Sequence, residues 1–99
     1  MARFDLYENR EGAGYLLDVQ ANLMSSLNTR IVVPLLLRRD APKPAGRLNP
    51  IFQIEGKAYI MATQFMASVP VSELGDRVGS LERRDVEIGD ALDMLFVGF

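Results

Sequence analysis

The chain contains no cysteine and no histidine. The first absence excludes disulfides, thiolate nucleophiles and Cys-based metal sites. The second removes the commonest general base, the usual zinc ligand and the one side chain that titrates near neutrality unaided. A serine or cysteine triad and a His-bearing zinc site are therefore beyond this chain alone. Long apolar runs are missing too. The longest, Ile31 to Leu37, falls far short of the roughly 20 residues that a membrane-spanning helix needs. Met1 to Asp5 has no apolar stretch of the secretory kind. The expectation is a cytoplasmic protein with no membrane partner.

What is present fits an ordinary globular chain. Its 99 residues suit one domain, 1–99, and leave no room for two cores. Apolar residues make up 48% and charged residues 24%, which excludes a disordered composition. The net charge of −2 is uneven: residues 1–50 carry +2 and residues 51–99 carry −4. Most of the acid lies from Glu82 to Asp93, which argues against nucleic acid docking there and suits a basic protein surface.

Residues 3–7 alternate, with Phe4 and Leu6 on one side and Arg3, Asp5 and Tyr7 on the other, as in a half-buried strand. Gly12 and Gly14 mark a turn, and Tyr15, Leu17 and Val19 continue as a second strand. Ala21 to Asn28 is a connection carrying Leu23 and Met24, which either cover an edge of the core or form an exposed contact patch. Arg30 to Arg38 is the strongest strand, rich in β-branched residues. Pro34 inside it predicts a bulge, a bend or an edge. Arg39 to Arg47 is a loop by its prolines and glycine; with Arg38 it holds four basic residues, read as a solvated surface. Residues 48–54 and 57–65 are two further strands joined by a tight turn at Glu55-Gly56. Met66 to Ser72 leaves the sheet as an extended segment, and 73–78 carries a weak helical signal. Ser80 to Phe96 is the one convincing helix, with Ser80 as N-cap and Leu81, Ile88, Leu92 and Leu95 as its apolar stripe. Gly89 inside it suggests close approach of another backbone or mere chance. The fold class is mainly β (α+β): a small, bent antiparallel barrel of about five or more strands with a C-terminal helix.

Catalytic signals are poor. There is no Gly-rich phosphate loop, no His–carboxylate pair and no plausible metal cluster. Glu82, Asp85, Glu87, Asp90 and Asp93 do not share one face and read as a solvated helix surface. A ribonuclease built on Tyr7, Arg10 and Arg30 is conceivable without histidine. Binding signals are better. The ending Phe96-Val97-Gly98-Phe99 offers aromatic anchors, and aromatic residues dominate interface hot spots. Phe99 also brings a carboxylate that an arginine can pair with.

Three segments carry a family likeness: Leu17-Asp18-Val19-Gln20, Arg30-Ile31-Val32-Val33-Pro34-Leu35 and, most specifically, Met66-Ala67-Ser68-Val69-Pro70-Val71-Ser72. With the ending Leu92 to Phe99 they resemble the CcdB toxin family. The likeness runs in order along nearly the whole chain, with short gaps near 10–15 and in the proline-rich loop. It implies a homodimer of SH3-like barrels akin to those of Kid and MazF, and the toxin half of a type II toxin–antitoxin pair. It implies binding to the A subunit of DNA gyrase and trapping of the cleaved DNA complex. It implies neutralisation by a CcdA-like antitoxin, with DNA met only indirectly as the pair represses its operon. The gyrase contacts carry over to Val97, Gly98 and Phe99. Val97 stands where the family usually has a tryptophan that stacks on a gyrase arginine, and valine has no π face. Antitoxin contacts carry over to Leu23, Met24 and Ser25 and to Asp93 and Phe96. The expectation is a protein that is not an enzyme and needs neither cofactor nor metal. The alternatives are a CcdB-like dimer that has lost gyrase poisoning, or a ribonuclease toxin like Kid and MazF, which share the barrel and cut RNA.

Overall fold

The computed structural model describes all 99 residues. Seven strands form one curled antiparallel sheet, a half-barrel closed at one side by a helix: β1 (Asp5–Asn9), β2 (Tyr15–Asp18), β3 (Thr29–Leu37), β4 (Ile51–Ile54), β5 (Lys57–Met61), β6 (Ala67–Pro70), β7 (Leu74–Ser80) and α1 (Asp85–Phe96). The order across the sheet is β4-β5-β3-β2-β1-β7, with β6 also on β3. The β-branched run makes β3 the central strand. It pairs with β2 along one edge and divides the other, taking β6 at residues 29–32 and β5 at residues 35–37. Pro34 lies between those two partners, and its carbonyl accepts the Ala62 amide. The N–H that proline lacks belongs to that same edge, where the ladder changes hands, so the ring costs the sheet little.

The hairpin between β4 and β5 turns at Glu55 and Gly56, both with positive φ (51° and 79°). That is the mirror-image turn whose twist matches paired strands. β1 starts two residues later than the alternation suggests, because Phe4 adopts φ 74°. Its ring lies under the Arg3 guanidinium, 4.7 Å away. The segment 67–70 does not leave the sheet but pairs with β3, and 74–80 is a strand rather than a helix. Pairing with β1 overrides weak local preference there. Gly75 permits it, since a Cβ would stand 2.6 Å from the Glu8 carbonyl oxygen.

Inside the curl, Leu6, Leu17, Val33, Leu35, Phe52 and Met61 pack against Ile88 and Ala91 of α1. Each such side chain contributes about 1.5–3 kcal/mol by leaving water. The stripe expected on the helix is correct at Ile88 and Leu92; Leu81 packs on the core from the segment ahead of α1, and Leu95 lies outside the contact. α1 begins at Asp85 rather than at Ser80. A 3₁₀ turn (Glu82–Arg84) comes first, and Ser80 Oγ accepts the Glu82 amide at 3.1 Å. Arg84 then lies 5.0 Å over the Phe52 ring and makes a two-pronged contact with Glu87, at 2.6 and 2.9 Å. That contact holds the exposed Glu87 carboxyl below its ordinary range.

A second, smaller cluster lies on the other face: Tyr7, Leu16, Val32 and Leu74. Asp5 and Tyr7, expected on the open face of β1, are therefore buried as well. Two glycines make opposite predictions. Gly14 has φ 86°, and a Cβ there would collide with the Leu35 carbonyl. Gly14→Ala should cost about 1–3 kcal/mol in urea unfolding. Gly89 has nothing within 4 Å of a Cβ, so no backbone approaches it. Gly89→Ala should gain up to about 1 kcal/mol from helix propensity.

Candidate functional site

The last turn of α1 sets the geometry of the tail. The Asp93 carbonyl accepts the Val97 amide at 2.7 Å and the Gly98 amide at 3.1 Å. Gly98 has φ 88°, the left-handed conformation that ends helices and that glycine adopts without strain. The helix stops there, and its apolar end stays bare: Phe96 is 70% exposed, Val97 58% and Phe99 77%. Gly98 and Asp93 are exposed too. Val97, Gly98 and Phe99, the residues expected to contact gyrase, thus lie together and exposed at the end of the helix.

The second patch is the loop between β2 and β3. A 3₁₀ turn (Asn22–Met24) buries none of its residues. Leu23 is 87% exposed, and Met24, Ser25 and Leu27 are open as well. Leu23 and Met24 therefore do not cover a core edge; they form an exposed apolar patch. Leu27 belongs to this patch and carried no sequence signal beyond being apolar in a loop. α1 itself packs chiefly on the turns at 46–48, 63–65 and 82–84.

Behind the loop lies a buried ionic group. Arg30 and Asp18 are wholly buried. Arg30 Nε donates to Asp18 Oδ2 at 2.8 Å, and Nη2 lies 2.6 Å from the same oxygen. Nη1 has no hydrogen-bond acceptor. Burial pushes the Asp18 carboxyl up, against the opposing pull of Arg30 and the Gln20 amide. Asp5, next to it, accepts from Ala2 N at 3.0 Å and Tyr7 Oη at 3.4 Å, and pairs with Arg77 at 3.1 Å. Burial also raises the Tyr7 phenol. Neither Tyr7 nor Arg30 reaches the surface, and Arg10 points elsewhere, to the Ser72 carbonyl. The trio weighed for RNA cleavage is not assembled.

The two concavities, about 290 and 380 Å³, are lined by Gly46, Arg47, Pro50, Glu87 and Asp90 and by Ser80 to Arg84. Their lining residues include only one hydrophobic side chain, Leu81, unlike the apolar pockets that hold small ligands. No helix is long and apolar enough to cross a membrane. The exposed apolar surface lies instead at the helix end, on Phe96, Val97 and Phe99.

A family model described as CcdB protein matches residues 3–98. Among solved structures, the fold is similar to an endoribonuclease from a mycobacterial species in complex with its cognate antitoxin. The identity is 17%, over 95% of this chain and 92% of that one, with a TM-score of 0.74. It is also similar to the Mycobacterium tuberculosis toxin MazF-mt6, at 14% identity over 95% and 96% of the two chains, with a TM-score of 0.76. At such identities the likeness shows the barrel and its helix. The expectation that the chain is not an enzyme is corrected here, because the same architecture occurs in proteins described as endoribonucleases. The lack of histidine is weak ground for it: Arg, Lys, Asp, Glu and Tyr also serve as acids, bases and charge stabilisers.

Proposed function

As the chain belongs to the CcdB family, we propose that it is the toxin of a toxin–antitoxin pair and that its target is the A subunit of DNA gyrase. The observation that carries this reading is the bare tail of Val97, Gly98 and Phe99 beyond the end of α1. An anchor already exposed and held by a helix end loses little entropy on docking, which favours tight seating in a pocket. In this reading the toxin acts inside the cell as a homodimer and traps gyrase on cleaved DNA. A CcdA-like antitoxin covers Leu23, Met24, Ser25, Asp93 and Phe96, and supplies the DNA contacts when the pair represses its own operon.

The test is a titration of purified protein into a gyrase supercoiling reaction, with trapped double-strand breaks as readout. Linear DNA should accumulate with dose; none at high protein rejects the gyrase target. Val97→Trp should lower the half-maximal dose roughly tenfold, equivalent to about 1.4 kcal/mol from a desolvated cation–π stack. An unchanged dose response argues against that stack. A second reading, RNA cleavage, is favoured by the fold shared with endoribonucleases. Incubation of total RNA with the same preparation separates the two. Discrete RNA fragments without trapped DNA breaks select the nuclease.

A further inference from the structure

The apolar loop has no hydrophobic anchor of its own. Leu23, Met24 and Leu27 all face outward, and the 3₁₀ turn buries nothing. Its internal bonds, from Met24 N to Ala21, from Ser25 N to Asn22 and from Leu27 N to Met24, fold it locally but tie it to nothing else. At the surface, Asn22 Oδ1 accepts the Arg3 amide at 2.8 Å. At the loop's far end the Asn28 carbonyl accepts the Val71 amide at 3.0 Å. The tie between the turn itself and the interior is Gln20. Its side chain is buried, and Nε2 donates to the Met24 carbonyl at 2.9 Å. Oε1 accepts the Ile31 amide of β3 at 3.0 Å. Its own amide donates to Asp18 Oδ1 at 3.0 Å, on the carboxylate that pairs with Arg30.

We propose that Gln20 is the positioning residue of the partner-binding loop: it fixes Leu23 and Met24, through the Met24 carbonyl, in the arrangement the antitoxin recognises. This rests on the reading above that the loop is an antitoxin contact. The physical reason is preorganisation. A loop free to wander reduces affinity in proportion to the time it spends out of the competent shape. Both ends of the Gln20 amide are engaged, so the side chain cannot rotate without losing two bonds. Asp18 and Arg30 give it a rigid footing.

Gln20→Met keeps the length of the side chain and removes both bonds. Hydrogen exchange at residues 22–27 of the free protein should rise at least fivefold, with β2 and β3 still protected. Overlapping synthetic peptides that tile the protein encoded next to this chain supply the probe; the one that binds the unaltered protein should bind about tenfold more weakly. Trapping of gyrase on DNA, which uses the tail, should stay unchanged. Gln20→Leu also removes both bonds and brings no charge next to the Asp18 carboxylate. It guards against misfolding of the first variant and should give the same loop-specific result. Unaltered loop exchange in the folded variants overturns the proposal, as does an equal loss of protection throughout the sheet. Leu23→Ala with Met24→Ala separates the two levels. If that pair leaves peptide affinity intact, the antitoxin role of the loop fails, while the exchange data still judge Gln20.

Discussion

Removal of Val97, Gly98 and Phe99 is expected to abolish growth arrest and leave the protein folded. None of the three side chains contributes to either buried cluster. The helix loses the amide bonds that Val97 and Gly98 make to its last carbonyls, and those carbonyls can turn to water. The stability cost should stay below about 1 kcal/mol, as for most surface changes. The loss in target binding should be far larger. Truncating an aromatic anchor at an interface costs about 2–4 kcal/mol, so gyrase trapping should fall a hundredfold or more. A thermal melt and a trapping titration on one preparation read both quantities. Toxicity retained by the folded, truncated chain sinks the tail as the gyrase anchor. Toxicity retained together with RNA fragmentation moves the function to the nuclease reading.

The second large effect is expected in the fold. Asp18→Asn leaves the Arg30 guanidinium buried beside a neutral amide. Breaking a buried pair from one side costs about 3–5 kcal/mol, because the remaining charge has no water and no counter-ion. For a chain of this size each kcal/mol moves the melting temperature by roughly 4–8 °C. The variant should therefore melt well over 10 °C lower and need much less urea to unfold. Arg30→Met should fall by a similar amount, since Asp18 is then the orphan. The double variant Arg30→Met with Asp18→Leu should recover most of the loss, because two apolar groups in contact need no pairing. A single variant that loses less than about 1 kcal/mol, or a double variant no better than the singles, contradicts this account of the pair.

The parts of the fold legible in the sequence are those decided locally. Ile31, Val32 and Val33 announce the central strand, and Glu55-Gly56 the hairpin. The parts missed are decided at a distance. Gly75, Asp76, Arg77 and Gly79 give β7 a poor strand signal, and only the tight pairing with β1 makes it one. Asp5, Tyr7, Asp18 and Arg30 alternate as if facing solvent, yet a second small core covers that side. Gln20 looks like any polar residue at the end of a strand. Its partners lie four and eleven positions onward, at places no pattern of one chain reveals.

The bare end of α1 also shapes how the protein behaves when it is alone. Phe96, Val97 and Phe99 meet water with no neighbour to shield them, and contiguous greasy surface of this kind promotes sticking between molecules. Concentrated samples should grow turbid sooner with added sulfate, which strengthens apolar association. On the proposed reading, an antitoxin seated over Phe96 would have two effects at once, silencing the molecule and keeping it soluble.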